Sequence, residues 1–138
     1  MKLLKSTTLI IMLLISVIVF AQKIKVKKGI ASIDKNPICK LQKDDISRGA
    51  FYINSLDDEE LIYAKWIDWG EFGYFEVYDA KNLDEVLFET EASIGYRKWL
   101  IKTLYNGKAL TNSGLNEEKL EVIAKKLGRE FTRKRNRY

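Results

Sequence analysis

The sequence predicts an α+β domain, in which an antiparallel β-sheet of about five to seven strands is followed by two C-terminal α-helices packed on one face. Between residues 23 and 91, apolar residues alternate or form short runs rich in aromatic and β-branched types, separated by short polar turns. After residue 93 the apolar spacing changes to that of helices. The connections between the strands are too short for crossovers, so sequential strands are expected to pair antiparallel.

The first 21 residues have the composition of a secretory signal peptide. Two lysines precede an apolar run from Leu9 to Phe20, and Val19 and Ala21 are small residues at the positions that a signal peptidase reads. The run of 12 residues is shorter than the roughly 20 that cross a bilayer, which argues against the alternative of an uncleaved membrane anchor. We expect cleavage near Ala21-Gln22, leaving a periplasmic or secreted single domain over residues 22–138 with no transmembrane segment.

Residue types that are rare or missing exclude several classes of function. The sequence contains no histidine and a single cysteine, Cys39. Histidine-dependent nucleophile pairs, most zinc, copper and non-haem iron sites, and any disulfide framework are thereby excluded. We expect no cofactor and no metal, and we expect Cys39 to be a buried structural thiol rather than one that pairs between chains.

The charge balance does not indicate a nucleic-acid partner. The formal net charge is +5, and loss of Lys2 and Lys5 with the signal peptide lowers it to +3. An excess this small, in a protein expected to be exported, predicts no nucleic-acid binding.

Three short segments after the expected cleavage point indicate the first strands. Residues 23–27 alternate lysine with isoleucine and valine, as in a half-buried strand. Residues 30–33 and 38–41 are predicted to form a hairpin around residues 34–37, whose Asp, Asn and Pro favour a turn. The polar residues 42–49 predict a loop.

The segment from residue 50 to 91 is rich in aromatic and β-branched residues and is broken by three short polar turns. Connections of this length favour an antiparallel meander over crossover units. The breaks delimit four predicted strands, over residues 50–56, 60–69, 72–80 and 85–91.

Two helices are predicted after residue 92. The first runs from Ile94 to Asn106, with Ser93 as its N-cap. The second begins after Asn116, which is its predicted N-cap. The apolar stripe of the second helix faces the sheet and consists of Leu120, Ile123, Ala124, Leu127 and Phe131.

The C-terminal residues are basic and carry no apolar spacing. Gly128 weakens or ends the second helix, and residues from about 132 to 138 are predicted to fray. A solubilising end is the simplest interpretation of this tail. Binding of anionic lipid head groups or of an acidic partner is the alternative.

Two regions of the sequence resemble small exported proteins of Bacteroidota-type bacteria with no known activity. One is the segment from Gly107 to Gly128, with its Asn-Ser-Gly-Leu-Asn-Glu-Glu entry into the last helix. The other is the opening, in which a signal ending in Phe-Ala-Gln precedes a lysine-rich strand, Lys28-Gly29 and the turn from Asp34 to Pro37. The resemblance implies an exported single-domain protein and assigns no functional residue.

Aromatic side chains cluster in the middle of the chain and suggest a binding surface. A strand over residues 60–69 has apolar bulk on both faces, whereas the helices cover only one. The other face is either a second buried core or an exposed aromatic platform, and exposed apolar patches commonly mark partner or ligand sites. The candidate binding surface consists of Tyr63, Trp66, Trp69, Phe72 and Tyr74.

Acidic residues suggest two further kinds of site, neither of which has a specific motif. Asp68, Glu71, Glu76 and Asp79 lie among aromatic residues, a mixture found in carbohydrate-cleaving sites, which need two carboxylates. Cross-strand ion pairs or solvent exposure explain the same residues. Residues 57–60 are four consecutive acids that lack the ligand spacing and the glycine of a calcium loop, so we interpret them as a solvated turn.

The sequence therefore favours an exported, non-catalytic binding or interaction module of the cell envelope, with an envelope protein or a glycan as its expected kind of partner. One alternative is a glycan-active hydrolase that uses carboxylates of the central hairpin. Another is an inhibitor or immunity-type protein that blocks a second exported protein. No catalytic, cofactor-binding or metal-binding residue is assigned.

Overall fold

The computed structural model describes residues 23–70 and 72–137. The predicted signal peptide and its cleavage point fall on residues 1–22, which lie outside the described residues. Within the two described ranges, no helix is long and apolar enough to span a membrane.

A seven-stranded antiparallel sheet is the framework of the described chain. Each strand pairs with the next one in sequence, so the sheet is a meander. Helices follow the sheet, which confirms the predicted α+β class. The strands are Ile24–Lys27 (β1), Ile30–Ile33 (β2), Asn36–Lys43 (β3), Phe51–Asn54 (β4), Glu60–Asp68 (β5), Gly73–Asp79 (β6) and Phe88–Glu91 (β7).

Two tight turns join the first three strands. Lys28 and Gly29 have φ angles of 52° and 76°, and Asp34 and Lys35 have φ angles of 50° and 69°. Two consecutive residues with positive φ are characteristic of the type I′ turn, whose twist matches that of a β-hairpin. Both connections are therefore short hairpin turns, and the second falls within the predicted turn.

Strand β3 is longer at both ends than the sequence predicts. Pro37 pairs with Ser32 beside a register shift in β2, a place where the missing N–H of proline is tolerated. At the other end, Gln42 and Lys43 pair with β4. The loop that was predicted over residues 42–49 therefore begins at residue 44, because pairing with a neighbouring strand recruits polar residues that alone favour a loop.

Three helices follow the sheet in the described chain: Tyr96–Asn106 (α1), Glu117–Leu127 (α2) and Phe131–Arg135 (α3). Asn116 caps α2 as predicted, since its side chain accepts a hydrogen bond of 3.2 Å from the backbone N–H of Lys119. A two-stranded hairpin, Leu110–Thr111 (β8) and Gly114–Leu115 (β9), lies between α1 and α2.

The start of α1 differs from the prediction. Gly95, not Ser93, precedes the first helical residue, and no side chain caps this end of the helix. Gly95 has a φ angle of 75°, a left-handed conformation that glycine adopts without strain. The chain therefore turns at Gly95, and Ser93 instead accepts a hydrogen bond of 3.2 Å from Tyr96 N–H through its backbone oxygen.

The core lies between the sheet and the first two helices. Leu100 and Leu104 of α1 are fully buried, and Leu120 and Ile123 of α2 are buried with 3% and 8% exposure. Leu127, predicted on the same stripe, is only half-buried because Gly128 ends α2 directly after it. The main buried residues that the sheet contributes are Cys39, Phe51, Ile53, Ile62, Ala64, Phe75, Val77 and Phe88. The burial of Cys39 agrees with the prediction.

Helix α3 is the largest departure from the predicted fold. Phe131 was predicted to extend the apolar stripe of α2, and residues 132–138 were predicted to fray. Instead, the chain crosses the outer edge of β7, where Arg129 N–H donates a hydrogen bond of 2.9 Å to the backbone oxygen of Glu89. Phe131 then stacks on Tyr74, with ring centroids 5.2 Å apart. The sequence does not reveal this helix, because a single aromatic residue provides no periodicity.

Candidate binding groove

Strand register divides the five residues of the predicted binding surface between two faces of the sheet. Trp66 pairs with Phe75 on the face that α1 and α2 cover, which we call the helix-covered face. Tyr63 and Tyr74 lie on the opposite face, which we call the tyrosine face; its further members are Tyr52, Glu76 and Tyr78. Trp69 and Phe72 flank the turn between β5 and β6. The five side chains therefore do not form one continuous platform.

Tyr63 has a structural role on the tyrosine face. It is 7% exposed and lies between Tyr52 and Tyr78, with ring centroids 4.7 Å and 6.0 Å away. Its hydroxyl donates a hydrogen bond of 2.8 Å to Asp44 Oδ2. The pKa of Asp44 is lowered, first by the backbone N–H of Ile46 and then by this hydroxyl, because both hydrogen bonds favour the charged carboxylate. The ring thus anchors the loop between β3 and β4.

Tyr74 is the centre of a ring cluster that α3 covers. The Tyr74 side chain is fully buried, and Phe131 stacks on one side of its ring. Its hydroxyl is within hydrogen-bond distance of Thr132 Oγ1, at 3.1 Å, and accepts a hydrogen bond of 3.2 Å from Arg135. Phe72 continues the cluster toward Trp69, with ring centroids 5.2 Å apart. These rings therefore hold α3 against the sheet.

Trp66 lines an open groove between the helix-covered face and the start of α1. The groove has a volume of about 700 Å³. Trp66 is half-buried and packs on Phe75 with ring centroids 5.2 Å apart. Phe75 in turn stacks on Tyr96, at 3.9 Å. We call this site the Trp66 groove; its apolar lining is Val26, Leu41, Trp66, Phe75 and Tyr96.

Two glycines make room for the Trp66 ring. A Cβ atom on Gly73 would lie 2.1 Å from ring atoms of Trp66, a distance that no side chain tolerates. A Cβ atom on Gly49 would lie 3.1 Å from Trp66 Cβ, and the φ angle of Gly49 is +80°. The indole therefore rests directly on backbone, which holds its ring in one place along the groove.

The mouth of the Trp66 groove is positively charged. Arg97 and Lys98, in the first turn of α1, line it, and no carboxylate is among the described residues that line it. The Arg97 guanidinium carbon lies 5.3 Å from the ring centroid of Phe51, close enough for a cation–π contact. The site thus combines an apolar floor with a cationic rim.

A second open groove lies beside β7 and α3. Its volume is about 730 Å³, and apolar side chains such as Leu87 and Phe88 line it. Its charged lining has both signs, because Arg129 and Arg133 are accompanied by Glu89 and Glu130. Glu89 already accepts hydrogen bonds from the backbone N–H and the hydroxyl of Thr132. This groove therefore offers a weaker electrostatic preference than the Trp66 groove.

Asp68 and Asp79, two of the carboxylates singled out along the central hairpin, do not converge. Asp68 pairs in register with Gly73, and Asp79 pairs with Ile62, so the two lie at opposite ends of the hairpin, roughly 20 Å apart along β5. Each accepts a hydrogen bond from a nearby turn N–H, at 3.0 Å and 2.9 Å. Glu76 lies on the tyrosine face and accepts from the Tyr78 hydroxyl, while Glu71 lies outside the described residues.

The acidic turn at residues 57–60 forms ion pairs. Asp58 lies 2.8 Å from Lys40 and Glu59 lies 3.2 Å from Lys81, measured between the charged atoms. In the part of the chain that the structure describes, no three His, Cys, Asp or Glu side chains are grouped so that they could hold a metal ion. All four residues are exposed, as expected of a solvated turn.

Sequence reasoning singled out Trp66 but missed the other residues of the groove. Val26 carried a usable signal, because its alternation with lysines places it on one face of β1. Leu41 and Tyr96 carried no such signal, because they are far from Trp66 in the chain and meet it only through packing.

Comparison of the chain with protein-family models, with curated proteins and with solved structures finds no significant match. The groove is therefore interpreted from its own geometry.

Proposed function

We propose that this protein is an exported, non-catalytic binding module of the cell envelope and that it holds an apolar part of its ligand in the Trp66 groove. The observation that carries the proposal is the groove itself, about 700 Å³ in volume with a lining of aliphatic and aromatic side chains. Ligand sites commonly measure roughly 300–1,000 Å³ and have this kind of lining, with a few polar groups that orient the ligand.

The partly exposed indole of Trp66 supports a role in binding. The ring contacts Phe75 on one side and faces the open groove on the other. Tryptophan is enriched among residues that dominate binding energy, because a large rigid ring loses water contact on binding at little entropic cost.

The arrangement of the described carboxylates favours binding over hydrolysis. A glycan hydrolase needs two carboxyl groups roughly 5–10 Å apart, whereas Asp68 and Asp79 lie at opposite ends of β5 and β6. Glu76 and Glu89 are register partners, but each already accepts hydrogen bonds, Glu76 from the Tyr78 hydroxyl and Glu89 from Thr132. Export rests on the lysines and the apolar run of residues 1–21. An inhibitor of another exported protein would be a special case of the proposed binding module.

Binding of N-phenyl-1-naphthylamine tests the proposal. This uncharged aromatic probe fluoresces strongly in apolar surroundings, so a titration gives its dissociation constant. We expect saturable binding, and we expect Trp66→Leu to weaken it about tenfold, because most of the stacking area is lost. Trp69→Leu is the matched control, since Trp69 belongs to the ring cluster outside the groove.

Two readouts separate lost binding from lost folding. Circular dichroism at each titration temperature shows whether the Trp66 variant is folded. Val26→Asn changes a second residue of the groove, which lies partly buried in the edge strand β1. We expect this change to weaken binding of the probe as well. Probe binding that is absent, or that is equal in the folded Trp66, Val26 and Trp69 variants, would contradict the proposed function.

A further inference from the structure

We propose that the ligand of the Trp66 groove is a free long-chain carboxylate, with its alkyl chain on the apolar floor and its carboxylate at Arg97 and Lys98. This inference rests on the proposed function and names the chemical class of ligand for the same site. The juxtaposition of an apolar floor with a purely cationic rim carries it.

Charge complementarity selects an anionic head group. Both charged residues that line the groove are cations, and the salt bridges of the described residues involve other lysines and arginines. Lys98 is exposed and Arg97 is half-buried over the Phe51 ring. A carboxylate at this rim gains charge-assisted hydrogen bonds from both side chains without displacing an existing acidic partner.

The chemistry of the floor selects an alkyl chain over a peptide. An extended peptide brings a polar N–H and C=O at every residue, and each loses free energy when it is buried without a partner. The floor side chains Val26, Leu41 and Phe75 have no polar atom. The hydroxyl of Tyr96, also in the lining, is already 2.6 Å from Thr90 Oγ1. An alkyl chain needs no hydrogen bonds and fits such a floor.

Displacement of N-phenyl-1-naphthylamine by two matched ligands tests the inference. Dodecanoate and dodecanol share one chain and differ in the charge of the head group, and both are used below their aggregation limits at pH 8. We expect dodecanoate to bind about tenfold more tightly than dodecanol, the size expected for two partly exposed charge pairs. Added salt should reduce this ratio, because it screens exposed charges.

Variants at the rim identify the residues responsible. Lys98→Gln should lower the dodecanoate-to-dodecanol affinity ratio about threefold, and the double change with Arg97→Gln should bring it close to one. Loss of a cation from the first turn of α1 does not weaken the helix, since that end of the helix dipole is positive. Lys25→Gln is the matched control, because Lys25 lies one residue from Val26 on the opposite face of β1, and we expect the ratio to stay unchanged.

The outcomes distinguish the two proposals. Equal affinities for dodecanoate and dodecanol, with the probe still bound at Trp66, would overturn the carboxylate and leave the binding groove standing. Displacement only by an acidic peptide, or only by vesicles of phosphatidylglycerol, would also overturn it, in favour of a different partner. Failure of the probe itself to bind would overturn the proposed function first.

Discussion

Single residues decide where the aromatic side chains of this protein lie. Gly73 is necessary because its missing Cβ leaves the space that the Trp66 ring occupies. Asp44 is paired with Tyr63 across a loop, so that a buried phenol hydroxyl keeps a hydrogen-bond partner as buried polar groups require. Residues of this kind are not recognisable in the sequence, because their roles depend on partners that are distant in the chain.

Cys39 provides a test at the scale of one residue. Burial raises the pKa of its thiol to about 12, so the reactive thiolate is scarce at neutral pH. We expect the folded protein to resist 5,5′-dithiobis(2-nitrobenzoic acid) at pH 8, and we expect one thiol per chain to react in concentrated urea. The measurement is the absorbance of the released thiolate. Rapid stoichiometric labelling of the folded protein would show that β3 is accessible.

Helices α2 and α3 differ in how far local sequence patterns predict them. The cap at Asn116 and the stripe through Leu120 and Ile123 are local signals, and the structure contains both. Helix α3 lacks such signals and is held by contacts with β6 and β7, from Phe131 to Tyr74 and from Thr132 to Glu89. Short helices have little intrinsic stability, so these tertiary contacts determine α3.

Docking of α2 onto the sheet predicts unequal effects of two alanine substitutions in that helix. Leu120 is 3% exposed, whereas Val122 is 43% exposed. We expect Leu120→Ala to lower the free energy of unfolding by roughly 2–5 kcal/mol, through lost burial and a residual cavity. Val122→Ala should change it by less than about 0.5 kcal/mol. Urea denaturation measures both values, and equal losses would mean that α2 does not dock through Leu120.

At the scale of the whole molecule, the meander keeps every strand beside its sequence neighbour. Different helices then cover the two faces of the sheet. Helices α1 and α2 lie on one face, and α3 crosses the β7 edge to reach the other. The Trp66 groove forms where α1 begins over β1, β3, β5 and β6, so it is a product of how the layers meet rather than of one element.

Export predicts a shortened chain in the cell envelope. We expect mass spectrometry of the protein from its native envelope fraction to find Gln22 as the first residue, because Val19 and Ala21 match the positions that a signal peptidase reads. Changing Ala21 to a bulky residue, such as Ala21→Leu, should retain the uncleaved form. An intact Met1 in the unmodified protein would contradict the proposed export.

The sequence alone determined the α+β class, the approximate strand and helix positions, the Asn116 cap and the burial of Cys39. These features depend on local patterns of apolar, turn and capping residues. The tertiary structure decided which face each aromatic ring occupies, the course of the chain after Gly128 and the residues that join Trp66 in its groove. Alternation along a strand assigns its residues to two faces, but it does not indicate which face a helix will pack against. That choice depends on packing between residues that are far apart in the chain.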